Sequence, residues 1–213
     1  WRRANPTKPM SEFKLELSKM GVSGAVFDMV KLLDVSKNVI ARYSAEQVYS
    51  FANEWAKQYD EELAQMLSDK EYGLKVFGIE RENSKKPRKD LSKWSDVKEN
   101  IIYMYNKPES YDFDKINGEE AIKVIKEYIN VYNSNDDKEM WFNKMKDVAE
   151  KCGYAREVKE YKADPEKWPG HVGDISSVIR VAITGRRNTP DLYEIMNVLG
   201  NDEVIARLNK AIQ

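Results

Sequence analysis

The chain has 213 residues, 41% hydrophobic and 33% charged, a length and balance that fit one or two globular domains with a sizeable core. Its 35 basic and 36 acidic side chains leave a net charge of −1, which excludes a global field that draws nucleic acid and leaves only local patches to do so. The one cysteine, Cys152, excludes an intramolecular disulfide framework and fits a reducing compartment, so a cytoplasmic protein is expected, and no apolar run approaches a membrane span.

Trp1 to Pro9 is basic and Pro-rich and reads as an extended connector, and a first residue that is not Met suggests a piece of a longer polypeptide. Leu15, Met20, Val22, Val26, Phe27, Val30 and Leu33 then give apolar spacing interrupted at Gly21 and Gly24, consistent with short helices. Ser44-Ala-Glu46-Gln47 is a capping box, after which Val48, Phe51, Ala52, Trp55, Ala56, Tyr59 and Leu63 continue one apolar stripe for about five turns. Burial alone explains that spacing, so the aromatic members are expected in the core. Leu74, Val76, Phe77 and Ile79 extend the pattern.

Composition then shifts to Arg81-Glu-Asn-Ser-Lys85-Lys86-Pro87-Arg88-Lys89-Asp90, the clearest local positive patch, which taken alone reads as a solvated loop. Ser95-Asp96 opens a helix carrying Val97, Ile101, Ile102, Met104 and Tyr105; the polar stretch from Pro108 to Gly118 marks a domain boundary. Asn117 starts the next helix, with Ala121, Val124, Ile125, Tyr128, Ile129 and Tyr132 on one face. A further helix uses Trp141, Met145, Val148, Ala149 and Cys152 and stops at Gly153, with Lys144 and Lys146 on its polar side. The sole histidine, His171, closes a polar segment from Tyr154 to Gly170; it lacks companions at metal-ligand spacing and reads as a loop or capping residue.

In the last third, Ile175, Val178, Ile179 and Ala182 define a helix stopped by Gly185 in a left-handed cap. Arg186-Arg187-Asn188 follows, and Thr189-Pro190-Asp191-Leu192 reads as the next helix start, with Thr189 as cap, Pro190 in the first turn and Asp191 complementing the dipole. A helix start beside guanidinium groups offers aimed donors to unpaired bases and phosphates. Asn201-Asp-Glu203 begins the last helix, burying Val204, Ile205, Leu208, Ala211 and Ile212. Since almost every segment reads as helix, the expected fold is all-α in two or three subdomains.

Arg180-Val-Ala-Ile-Thr-Gly185, a short turn, Thr189-Pro190-Asp191-Leu192-Tyr-Glu, Val198-Leu-Gly200 and Arg207-Leu208 together resemble the C-terminal anticodon-binding domain of bacterial-type glutamyl-tRNA synthetases, class I. The chain differs from the family pattern in Ile179 and Ile183, where Leu is usual, and in Asp191, where Gly is common. The resemblance implies a helical stem-contact region over residues 1–56, a first anticodon-binding helical subdomain over 57–112 and a second over 113–213. Phe27-Asp28, Lys31-Leu32 and Ser36-Lys37-Asn38 resemble the helical segment that touches the inner side of the tRNA. It also implies a monomer that binds tRNA(Glu), and a Rossmann-fold catalytic domain, preceding this chain, that uses ATP and Mg to make Glu-AMP. Lys19-Met20-Gly21-Val22-Ser23 looks like the K-M-S-K-S signature of that class, but Val22 stands where a second lysine would stabilise phosphate charge. The chain carries no cofactor or metal signature of its own, so it is expected to bind tRNA without catalysing.

By the same resemblance the Pro87-Arg88 pair supplies the reader of the third anticodon base, and Arg180, Arg186, Arg187, Thr189, Pro190 and Leu192 join Arg88 as candidate anticodon contacts. Glutamate anticodons end in C and glutamine anticodons in G. Cytosine presents acceptors at O2 and N3, to which a guanidinium donates; guanine presents N1–H and N2–H, which a cation cannot satisfy. Leaving those donors opposed should cost about 1–3 kcal/mol. Thr189 would supply backbone donors, and Pro190 with Leu192 an apolar platform for a splayed base. Two other readings stand beside this one. A helical protein-interaction module would need Phe51, Trp55 and Tyr59 exposed, and a non-discriminating synthetase that charges both tRNAs would be expected to lack the arginine.

Overall fold

The computed structural model describes residues 1–21, 27–81 and 88–213, and among them every regular element is a helix. After two single-turn 3₁₀ helices, the order is α1 (Met29–Ile40), α2 (Ala45–Tyr59), α3 (Glu61–Met66), α4 (Lys70–Gly78), α5 (Val97–Tyr105), α6 (Gly118–Val131), α7 (Lys138–Lys151), α8 (Val158–Ala163), α9 (Val172–Thr184), α10 (Leu192–Leu199) and α11 (Asn201–Lys210). Val22 and Ser23 of the K-M-S-K-S look-alike, Val26, and residues 82–87 of the basic run lie outside the described residues.

Local chemistry sets most of these boundaries. Ser44 and Gln47 form the reciprocal capping box at the start of α2, Asn117 and Asp137 cap α6 and α7, and Gly185 ends α9 at φ 69°, a left-handed conformation that glycine adopts without a Cβ clash. The five-turn stripe expected from Val48 to Leu63 is broken. α2 ends at Tyr59, Asp60 turns its carboxylate onto the Leu63 N–H to start α3, and Asp69 does the same with the Tyr72 N–H to start α4. A short acidic side chain competes well for the free N–H groups of a first turn, so α2 and the short α3 replace the one continuous helix, and α4 starts separately after them.

The aromatic stripe is corrected too. Val48, Ala52, Ala56 and Leu63 are buried, but Phe51 is 40% exposed and Tyr59 64% exposed. Phe51 instead lies between Tyr43 and Trp94, with ring centroids 5.4 and 5.6 Å away, and Trp55 packs on Tyr59. Cys152 is buried as expected, which pushes its thiol pKa up. His171 caps α9, its Nδ1 accepting from the Gly173 N–H at 2.9 Å while Asp174 accepts from the His171 N–H.

α2 packs on α3 and α4; α6, α7 and α9 pack on one another, with α11 against α9 and α6. The buried side chains form one cluster from Ile40 to Ala211, and α4 touches α10 where the two groups of helices meet. Two buried arginines fasten this arrangement. Arg207, 1% exposed, donates to the carbonyls of Tyr103 at the end of α5 and Ile183 at the end of α9, with Glu203 as counter-ion. Arg81 donates to Phe77, Ile40 and Tyr43 carbonyls, joining the end of α4 to the α1–α2 corner. Both place a cation at helix C-termini, where the last carbonyls have no intrahelical partner.

Candidate nucleic-acid interface

Three connections bring the end of α4, the start of α5 and the α9–α10 turn to one side of the molecule. Glu80 adopts a left-handed conformation at φ 52°, which a non-glycine residue holds only when its surroundings enforce it. What enforces it is Glu194 of α10, whose carboxylate accepts the Glu80 N–H at 2.8 Å. From the turn, Arg186 reaches across to donate to the Glu99 carbonyl of α5 at 2.7 Å, its guanidinium lying over the Tyr103 ring at 5.4 Å. Behind the turn, Arg180 is half-buried and donates to both Thr189 oxygens and the Pro190 carbonyl.

The result is an open concavity of about 380 Å³ lined by Glu80, Arg88, Lys89, Asp90, Asn100, Tyr103, Arg186, Asn188, Thr189 and Pro190. Three cations face two carboxylates there, a local positive excess on a chain whose net charge is −1. Asn100, Asn188 and the backbone of the turn can donate and accept, as base edges require, and Pro190 supplies apolar surface. Tyr103 is 6% exposed and its burial raises its pKa, so the phenol stays neutral in the physiological range.

Of the seven candidates, Arg88, Arg186, Thr189 and Pro190 line this surface together. Arg88 is held firmly: Nε and Nη2 both donate to Asp90 Oδ2, and Nη1 donates to the Ile79 carbonyl at 3.2 Å. The other three lie elsewhere. Arg180 is spent on the turn, and its burial lowers its pKa. Arg187 turns outward to the carboxylates of Asp112 and Asp114. Leu192 is 2% exposed and belongs to the core, so it offers no platform to a base. The helix start is also corrected. α10 begins at Leu192 and is capped by Asp191, whose Oδ1 accepts the Glu194 N–H at 3.0 Å; the Thr189 hydroxyl instead meets Arg180. A carboxylate on the cap removes the open anion site expected there. Lys144 and Lys146, on the polar side of α7, are paired with Asp136 and Glu157 at 2.6 and 2.7 Å.

Sequence reasoning missed Asn100, Tyr103 and Asn188 on the site surface. Asn100 and Tyr103 occupy ordinary positions of a helix whose periodicity gives no sign of which face meets a distant turn. Asn188 follows the Arg pair directly, and an amide beside cations in a turn was the available signal.

Comparison with known proteins agrees with this geometry. Residues 170–212, which hold α9, α10 and α11, match the family model described as an anticodon binding domain. Glutamate–tRNA ligase of Clostridium perfringens (strain SM101 / Type A) is 43% identical over 99% of this chain, and that of Acetivibrio thermocellus is 42% identical over 100% of it. The chain spans 39% of the length of each. Among solved structures, a glutamate tRNA ligase from Elizabethkingia meningosepticum superposes with a TM-score of 0.61 over 93% of this chain and 35% of its own, at 19% identity, which supports the all-helical fold. Over nearly its whole length the chain thus matches a part of glutamate–tRNA ligases, and residues 170–212 within it match an anticodon binding domain.

Proposed function

We propose that this chain recognises the anticodon arm of tRNA(Glu) within a ligase that attaches glutamate to that tRNA, and that Arg88 selects the third anticodon base. The observation that carries the reading is the shared concavity: a basic segment and a turn 101 positions apart, Arg88 and Thr189, line one open surface with neutral hydrogen-bonding groups between them. A splayed cytosine that presents its Watson–Crick edge there finds guanidinium donors for O2 and N3, whereas guanine in the same pose brings N1–H and N2–H donors that meet donors. Amino-acid activation with ATP and Mg would belong to a catalytic portion of the parent enzyme, so this chain alone is expected to bind without catalysing. A cytoplasmic monomer accords with this role; among the described residues no helix is long and apolar enough to cross a membrane.

The test is binding of labelled anticodon stem-loops of tRNA(Glu) and tRNA(Gln), read by fluorescence anisotropy at several salt concentrations. Preferential binding of the glutamate stem-loop, weakening as salt rises, is the expected outcome. Equal and salt-insensitive binding would instead favour a protein-interaction module, for which the exposed Phe51 and Tyr59 supply a surface.

A further inference from the structure

Arg88 cannot choose its own orientation. Its side chain is only 10% exposed, and three of its N–H donors are already committed, two to one oxygen of Asp90 and one to the Ile79 carbonyl. A guanidinium carries five donors in one plane, so fixing those three fixes the direction of the remaining pair, which has no partner among the described residues. A second cation stands close behind. The buried Arg81 has its pKa lowered first by burial and next by the charge of Arg88, while Asp90 opposes that shift. Asp90 is thus the carboxylate that lets two guanidinium groups share this corner, and without it their repulsion would drive Arg88 outward.

Asp90 is also incompletely satisfied. Its Oδ1 is buried with no hydrogen-bond partner among the described residues, an arrangement that costs stability and is not explained by the fold. Its value lies in what the other oxygen does to Arg88.

We propose that Asp90 is a positioning residue for base selection: it holds the Arg88 guanidinium so that a fixed pair of donors faces the concavity and meets the O2 and N3 acceptors of cytosine. The inference rests on the assignment of Arg88 as the reader. A mobile arginine could turn a single donor, or retreat, to accommodate guanine; a clamped one cannot. Selectivity therefore requires the clamp as well as the charge.

The experiment compares stem-loops that differ only in C or G at the third anticodon position, bound to the wild-type chain and to Asp90→Asn, Asp90→Glu, Arg88→Gln and the Asp90→Asn/Arg88→Gln double variant, with thermal melts of each. Asp90→Asn should lower the C-over-G affinity ratio about tenfold, within what one bidentate base contact discriminates. Affinity for the C stem-loop should change less, because removing a negative charge favours phosphate. Asp90→Glu keeps the charge but displaces the guanidinium, and should give the same loss of ratio if Asp90→Asn proves too unstable to assay. In the Arg88→Gln background, Asp90→Asn should add nothing to the ratio. A wild-type ratio in both Asp90 variants while Arg88→Gln abolishes it, or an additive effect in the double variant, overturns the role of Asp90 alone. An unchanged ratio in Arg88→Gln overturns the assignment of Arg88, and this inference with it.

Discussion

The seam between the two groups of helices and the rim of the concavity use the same side chain for different ends. Arg81, inside the first group, and Arg207, in the seam, are 7% and 1% exposed and donate to carbonyls at the ends of α1, α4, α5 and α9. On the rim, Arg88 and Arg186 are anchored through part of the guanidinium only, and Arg187 sits outside on a pair of aspartates. Arg180 stands between the two regions: it lies next to the site in space, yet its donors support the turn from behind. An arginine can thus keep donors for an open surface or spend them on shaping the turn beside it, and the two arrangements differ in which measurement they should move.

The largest effect is expected in the seam. Arg207→Met leaves the Tyr103 and Ile183 carbonyls without their donor and Glu203 with Lys107 as its only partner among the described residues, and should cost about 2–6 kcal/mol of stability, about 1–3 for each buried carbonyl, read as a fall in the denaturation midpoint. Retention of wild-type stability would show that the seam does not depend on that cation. Arg180→Lys replaces a planar fork by a single ammonium that cannot reach the same three oxygens. It should weaken binding of C- and G-ending stem-loops by equal factors, about tenfold for loss of a charged hydrogen bond of about 1.5 kcal/mol or more. A selective loss for one of them would move Arg180 from the supporting group to the reading group. Arg88→Gln should do the reverse and collapse a preference of about 1–3 kcal/mol while leaving the melting temperature less affected.

How much of this was legible beforehand depended on whether the signal was local. The capping box at Ser44 and Gln47, the cap at Asn117 and the left-handed stop at Gly185 stood in the sequence because each involves residues a few positions apart. The breaks at Asp60 and Asp69 were legible in principle, but the continuous apolar stripe outweighed two single carboxylates. The positions that failed were decided at long range. Leu192 reads as a turn residue until α10 is packed, and nothing near Arg180 in the chain says that its guanidinium bends back to the Thr189–Pro190 backbone. The resemblance to synthetases singled out seven residues, four of which line one concavity, while Asn100 and Tyr103 join that lining only because α5 is held against the turn by Arg186 and Arg207.

Smaller effects refine the same contrast. The Tyr72 hydroxyl, in the seam, donates to the Met104 carbonyl at 2.7 Å, and burial pushes its pKa up to about 12. Because the folded value lies above that of an unfolded tyrosine, about 10, stability should be fully present below pH 10 and decline as pH rises from there through 12, with Tyr72→Phe removing that part of the decline. Arg187→Ala, on the outside, breaks an exposed ion pair with Asp112 and Asp114 and should leave the melting temperature near that of the wild type without altering the C-over-G ratio.

A quieter feature has practical reach. Ala155 donates to the Gly170 carbonyl and accepts from the Val172 N–H, both at 3.0 Å, so the chain leaves the body and returns at almost the same point. The excursion between them contains α8, which buries no side chain, and exposed residues from Lys162 to Lys167. With its ends pinned, this stretch can change length at a cost that grows only by about 0.6 kcal/mol for each doubling. None of its residues lines the concavity, so it is the natural place to graft a fluorophore or an affinity handle.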